Sequence, residues 1–245
     1  MAARIAAVTG GIGGLGTATC IALARTGHRV VAADLHDDTR LARFREATDG
    51  LDIRFEALDV TDFDACGAFV QALEAGDGAL DVLVNAAGIT RDSTLRKMER
   101  AQWQSVLQVN LDSVFNLCRH AVEGMVARGF GRIVNISSVN GQTGQFGQAN
   151  YAAAKAGMHG FTMSLAREVA RKGVTVNSVS PGYCETALVM AIPDEIRAGI
   201  VAGIPVGRLG RPDEIARTVA FLAAEDAGFI TGANIPVNGG MHMGF

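Results

Sequence analysis

The sequence predicts an α/β fold, a doubly wound parallel sheet of seven strands with helices on both faces. Three observations carry this expectation. Short apolar runs alternate with amphipathic stretches along almost the whole chain, the pattern of strand–helix–strand units. The runs are continuous in apolar residues rather than alternating, as parallel strands buried on both faces must be. A glycine-rich segment, residues 10–16, follows the first run directly and opens a helical pattern, and right-handed crossovers then distribute helices to both sides of the sheet.

In chain order, strands are expected at 5–9, 29–34, 53–58, 82–85, 133–137, 175–180 and 233–237. Helical spacing falls between them, at 15–27, 38–48, 62–75, 101–128, 150–172 and 212–224. The 30 glycines gather at the ends of apolar runs, where turns belong. Trp103 and Phe115, within the 101–128 pattern, read as core residues. Residues 183–211 break the rhythm with Pro193, Pro205, several glycines and a short helix-like piece at 194–201. Irregular insertions of that length in compact domains commonly act as lids.

Composition excludes several classes. Of 245 residues, 49% are apolar and 19% charged, enough for a large core. The net charge of −3 and an aromatic content of 6% give no electrostatic or stacking case for nucleic acid or an anionic membrane. Cys20, Cys66, Cys118 and Cys184 are scattered, and His28, His36, His120, His159 and His242 show no ligand spacing. Free thiols and no metal site are expected. The first strand begins by about Arg4, leaving no room for a secretory leader, and no run reaches the ~18 apolar residues of a membrane span. A soluble, cytoplasmic protein is the expectation.

Thr9-Gly10-Gly11-Ile12-Gly13-Gly14-Leu15-Gly16 satisfies G-x-G-x-x-G and also T-G-x3-G-x-G. Glycines let backbone approach a pyrophosphate, and the helix amino terminus offers free N–H groups. Asp34 ends the second strand, roughly 20 residues past the turn, where a carboxylate bonds ribose hydroxyls and repels a 2′-phosphate. This is the context of a Rossmann dinucleotide site preferring NADH, with NADPH weaker. Arg40 lies just downstream and tempers that preference. Contacts are expected from Gly10, Ile12, Gly13, Gly14, Leu15 and Gly16, and from Asp59 and Val60 after the third strand. Asp59 fits an adenine contact and a helix N-cap or turn aspartate about equally well.

Tyr151 and Lys155 stand four residues apart, on one helix face. A lysine ammonium beside a phenol is expected to lower its pKa from near 10 toward the working range. Ser138, at the end of the apolar strand before them, is placed to hold a substrate oxygen beside that phenol.

With these residues the chain resembles the short-chain dehydrogenase/reductase family over essentially its whole length. The resemblance rests on the glycine turn, Asn85-Ala86-Ala87-Gly88, Asn110, Ser138, Tyr151-x3-Lys155 and Pro181-Gly182. It implies a catalytic set of Asn110, Ser138, Tyr151 and Lys155 and selects Ser138 over Ser137. Asn110 would anchor a water that returns a proton through Lys155. It adds Asn85, Ala87, Gly88, Pro181, Gly182 and Thr186 to the cofactor contacts, together with Tyr151 and Lys155. Ala86 departs from the family's usual second asparagine.

Residues 88–92, 135–141, 144–148, 180–183 and the tail 238–244 narrow the resemblance to acetoacetyl-CoA reductases. Those enzymes form (R)-3-hydroxybutyryl-CoA for polyhydroxybutyrate synthesis, are commonly NADPH-dependent, and assemble as homotetramers. Asp92, Ser138, Gln145, Phe146, Gln148 and Tyr183 would then contact the acyl-CoA substrate. Arg197, Arg208 and Arg211 remain open between CoA-phosphate contacts and plain surface arginines. A 3-oxoacyl-carrier-protein reductase, another NAD-linked alcohol dehydrogenase, or a non-enzymatic dinucleotide sensor are the alternatives. On this reading residues 1–245 form a single dinucleotide-binding catalytic domain with a substrate lid at about 183–211.

Overall fold

The computed structural model describes residues 3–76 and 78–244. Seven parallel strands form one sheet: β1 (Ile5–Thr9), β2 (Arg29–Asp34), β3 (Ile53–Ala57), β4 (Leu80–Asn85), β5 (Gly131–Ile136), β6 (Val174–Pro181) and β7 (Asn234–Val237). Their spatial order is β3-β2-β1-β4-β5-β6-β7. The order reverses between β1 and β4, and the crevice at the strands' carboxyl ends there is where an open α/β sheet takes a ligand.

Helices cover both faces. They are α1 (Gly14–Arg25), α2 (Asp38–Ala47), α3 (Phe63–Gly76), α4 (Arg100–Leu107), α5 (Ser113–Arg128), α6 (Asn140–Thr143), α7 (Ala149–Val169), α8 (Ala187–Met190), α9 (Asp194–Ala202) and α10 (Pro212–Ala223). One core, with Leu73, Leu117, Met125, Ile133 and Met158, lies under α3, α5 and α7. The other, with Leu23, Val82, Val134, Ile215 and Leu222, lies under α1, α2 and α10. The central strands β1, β4, β5 and β6 are buried at every residue, whereas edge strand β3 is half open.

Four differences from the sequence reading have physical causes. β4 starts at Leu80 rather than 82, because Asp81 is accommodated within it. Its Oδ2 accepts the Ile5 N–H at 3.1 Å and Arg4 stands 3.5 Å away. β5 likewise admits Arg132, which donates to the Ala224 and Glu225 carbonyls at 3.0 and 2.9 Å and lies over the Phe130 ring. The 101–128 pattern is not one helix: a wide π-type turn, Gln108–Asp112, separates α4 from α5 and carries Asn110. Such turns cluster at functional sites. Trp103 and Phe115 are not core residues but stand 40% and 50% exposed, Phe115 stacked on Phe63.

Candidate active site

The turn after β1 is built for close backbone approach. Gly10 has φ +65, and a Cβ there would lie 2.9 Å from the Ala86 carbonyl and from Ala87. A Cβ on Gly16 would run into the Gly10 carbonyl. Gly13 precedes α1 with no side-chain cap, so the helix's first N–H groups face the crevice with its positive dipole end. A crevice of about 790 Å³ opens there, lined by the glycine turn, Asp34, Asp59, Val60, Ala87, Gly88 and Thr186. This cradle fits a dinucleotide: backbone donors at the centre, a carboxylate at one end, and apolar walls.

Asp34 is not a bare carboxylate. Its Oδ1 accepts the Leu35 N–H at 2.8 Å and its Oδ2 pairs with Arg40 Nη2 at 2.9 Å. Arg40 and Arg43 both line the crevice. Asp59 closes a turn rather than capping α3, its Oδ1 accepting from the Thr61 N–H and hydroxyl at 2.9 and 2.7 Å, and it lines the crevice; the α3 cap bond comes from Asp62, whose Oδ1 accepts the Ala65 N–H at 2.9 Å.

Asn85 and Pro181 end β4 and β6, and Gly182 follows directly. The Asn85 side chain is buried beneath the crevice, donating to Asn135 Oδ1 at 2.8 Å. In parallel strands of matched register, a polar side chain at this position points between sheet and helix rather than out of the strand end. Pro181 is buried as the last residue of β6. Gly182, with Tyr183, lines a separate cavity of about 190 Å³ against α10 and the segment after β7.

The expected catalytic set converges at the crevice mouth. Tyr151 and Lys155 lie on α7, with Lys155 Nζ 5.6 Å from the Tyr151 ring centroid. Tyr151 lies close enough to Ser138 for the serine to lower the phenol's pKa, and Ser138 Oγ accepts the Asn140 N–H at 3.1 Å. Ser137 instead donates to the Lys155 carbonyl at 2.9 Å and is buried. Lys155 is buried and donates to the Ile136 carbonyl at 2.7 Å. Asn110 is fully buried, its Nδ2 donating to the Ile89 and Val106 carbonyls at 2.9 and 2.8 Å. Its Oδ1 has no partner among the described residues. A Cβ on Gly88 would sit 2.7 Å from that oxygen and 3.6 Å from Lys155 Nζ. The orphan acceptor and the amine therefore border one small space, as a proton-carrying water would require.

The electrostatics correct one expectation. Tyr151 is not lowered by its neighbour: burial raises the phenol above its ordinary value, and Ser138 pulls it down. Burial also pulls Lys155 down to about 7. A low-dielectric site disfavours the charged form of both groups, so the amine is only partly ammonium at neutral pH.

Around the mouth, Gln148 Nε2 donates to Asp92 Oδ2 at 2.8 Å and Asn140 Nδ2 donates to Gln148 Oε1 at 2.9 Å. Gln145 is exposed on the same rim, and Phe146 is 87% exposed. The three arginines left open are engaged: Arg197 with Asp194, Arg208 and Arg211 with Glu214. Sequence reasoning passed over a different set. Arg91, Arg96, Lys97 and Arg100 are exposed on the segment after β4, which is tied to the Tyr151 side by Ser93 N–H to Gly147 carbonyl at 2.8 Å. Four cations in ten residues were the available signal.

A nucleotide crevice after β1, with a Ser–Tyr–Lys–Asn constellation at its mouth, defines a class. The chain belongs to the short-chain dehydrogenase/reductase family, NAD(P)-dependent oxidoreductases, and a family model described as enoyl-(acyl carrier protein) reductase matches residues 10–242. Among relatives, the acetoacetyl-CoA reductase of Allochromatium vinosum is 56% identical, covering 98% of this chain and 99% of that one. The acetoacetyl-CoA reductase of Cupriavidus necator is 53% identical, covering 100% of both. A solved structure described as gox2181 superposes with TM-score 0.92 at 35% identity, covering 98% of this chain and 96% of that one. Among the described residues, no helix is long and apolar enough to cross a membrane and no acid, His or Cys group could hold a metal.

Proposed function

We propose that this chain reduces acetoacetyl-CoA to (R)-3-hydroxybutyryl-CoA, with NADH preferred and NADPH accepted more weakly. The carrying observation is the convergence of Ser138, Tyr151, Lys155 and the free Asn110 carbonyl at the mouth of the glycine-turn crevice. The two acetoacetyl-CoA reductases, at 56% and 53% identity, support the choice of substrate.

Nicotinamide, when bound, supplies the hydride to the C3 ketone. The glycine turn, Asp34, Asp59, Val60, Ala87, Gly88 and Thr186 would hold the dinucleotide. Ser138 orients the ketone oxygen and Tyr151 gives it a proton, a contribution of about 10²–10⁴-fold for general acid catalysis. Lys155, charged in part at neutral pH, stabilises the phenolate left behind. Asn110 Oδ1 anchors the water that reprotonates the pair through Lys155 Nζ.

Cofactor choice rests on Asp34 and Arg40. A carboxylate at the end of β2 accepts ribose hydroxyls, and its ion pair with Arg40 at 2.9 Å dilutes the repulsion a 2′-phosphate would meet. The exposed cations Arg96, Lys97 and Arg100, without ion-pair partners among the described residues, suit the phosphates of coenzyme A. The same basic rim suits the acidic surface of an acyl carrier protein, so a 3-oxoacyl-carrier-protein reductase is the second reading. The proposal extends to a substrate lid over residues 183–211 that closes on Asp92, Gln145, Phe146 and Gln148, with Tyr183 as the lid's own substrate contact. It also includes a cytoplasmic homotetramer serving polyhydroxybutyrate synthesis. Exposed Phe115 and Phe221 support apolar faces that other copies would cover. Initial rates with acetoacetyl-CoA and with an acetoacetyl carrier-protein thioester, each against NADH and NADPH, test it. Faster turnover of the carrier thioester would move the chain to the second reading.

A further inference from the structure

Beneath the crevice runs a belt of buried polar side chains that the reaction does not use directly. The parallel registers place Thr9, Asn85, Asn135, Ser178 and Asn234 side by side across β1, β4, β5, β6 and β7. Their bonds cross from strand to strand and on to the catalytic helix. Asn85 donates to Asn135, and Asn135 Nδ2 donates to Thr162 Oγ1 on α7 at 2.9 Å. At the β6–β7 end, Asn234 Oδ1 accepts from both Ser178 and Ser180 hydroxyls, at 3.0 and 2.7 Å. His159 Nε2 completes the belt at 3.2 Å from Ser180 Oγ.

His159 follows Lys155 by one helical turn, as Lys155 follows Tyr151, so the three share one face of α7. The Ser180 proton is committed to Asn234, which leaves Ser180 Oγ as acceptor and His159 Nε2 as donor. Lys155 fastens α7 to β5 through the Ile136 carbonyl, and His159 fastens the next turn to β6. Ser180 is followed at once by Pro181, Gly182 and the segment to Thr186, which borders the crevice. The bond thus joins the helix carrying the proton donor to the strand end bordering the cofactor site. Burial and the Lys155 charge both lower the His159 pKa, which keeps the ring in the neutral donor form that this bond needs.

We propose that His159 is a positioning residue for the reaction: through Ser180 it fixes Tyr151 and Lys155 against the strand end that borders the nicotinamide site. The inference rests on the reading of Tyr151 and Lys155 as the catalytic pair. Misplacement of a reacting group by about 1 Å lowers rate up to about 10²-fold, so a loosened strut is read in kcat rather than in binding.

The test compares His159→Leu, His159→Gln, Ser180→Ala and the His159→Leu/Ser180→Ala double variant with the parent enzyme, using acetoacetyl-CoA and NADH. Folding of each is checked by circular dichroism. The expected result is a kcat about 10-fold lower in His159→Leu and Ser180→Ala, with both KM values within about twofold. His159→Gln, whose amide N–H can replace the donor, recovers most of the rate. The double variant is no slower than the single ones, because both remove one strut. Parent-like kcat in a folded His159→Leu or Ser180→Ala, failed rescue by Gln, or additive losses would overturn the inference. An inactive parent would instead overturn the proposed function, so the two failures are distinguishable.

Discussion

Replacing Lys155 by methionine should make the ligand-free protein more stable at neutral pH while removing its activity. Lys155 is buried and its pKa is pulled from 10.5 to about 7 by desolvation. At about 1.36 kcal/mol per unit, holding an ammonium there destabilises the fold by roughly 4–5 kcal/mol. The sign follows from proton counting. Between the two values the unfolded chain binds more protons than the native one, so stability rises with pH across that window. The penalty is full below about 7, shrinks on the way to the unfolded value, and vanishes above it. Methionine fills the same path without charge but leaves the Ile136 carbonyl, now held at 2.7 Å, without its donor, a loss of about 1–3 kcal/mol. The net gain near neutrality is roughly 2 kcal/mol, or about 4–8 °C in Tm for a chain of this size. Near pH 9.5 the penalty has shrunk to about 1 kcal/mol, and the advantage disappears. Calorimetric melts of parent and Lys155→Met at both pH values read this directly. A variant less stable than the parent by the same margin at both would refute the reasoning.

Three further outcomes follow from the same site. Asp34→Ala removes the carboxylate and frees Arg40, now 2.9 Å from it; the NADH-to-NADPH ratio of kcat/KM should fall by about 10-fold, equivalent to ~1.4 kcal/mol, and an unchanged ratio would show that Asp34 does not read the ribose. Gly88→Ala drives a Cβ to within 2.7 Å of Asn110 Oδ1; kcat should drop about 10-fold or more, and a parent-like kcat would show that the space beside Asn110 is not used. Because Lys155 titrates at about 7, kcat/KM for ketone reduction should decline as pH rises through that value, since the ammonium is the assisting form. A profile flat into the alkaline range would contradict this.

Much of the site was legible because its spacing is local. Tyr151 and Lys155 are separated by one helical turn, the glycine turn sits between a strand and a helix, and Asp34 ends the next strand. Each of these depends on residues that neighbour one another in sequence. What escaped depends on packing between distant segments. The Asp34–Arg40 pair exists because α2 turns back over the strand end. The π-type turn at Asn110 hides inside an unbroken helical pattern, since the bulge shifts the backbone without changing residue types. The Tyr151 pKa moves opposite to the expectation because burial, absent from any spacing rule, outweighs the lowering by Ser138. The bond from Asn85 to Asn135 escaped as well, because it exists only through the register of β4 on β5. Trp103 and Phe115 look like core residues by composition, yet they lie on faces the chain does not cover itself.

The most direct test is a stereochemical turnover assay in parallel with its proton-donor variant. Purified protein is given acetoacetyl-CoA and NADH, the product is resolved by chiral chromatography, and Tyr151→Phe is run beside it with dinucleotide binding followed by calorimetry. The account predicts (R)-3-hydroxybutyryl-CoA from the parent and a loss of at least about 10²-fold in the variant, with NADH bound equally by both. Undiminished reduction by Tyr151→Phe, or a parent that binds NADH yet leaves the ketone untouched, would contradict it.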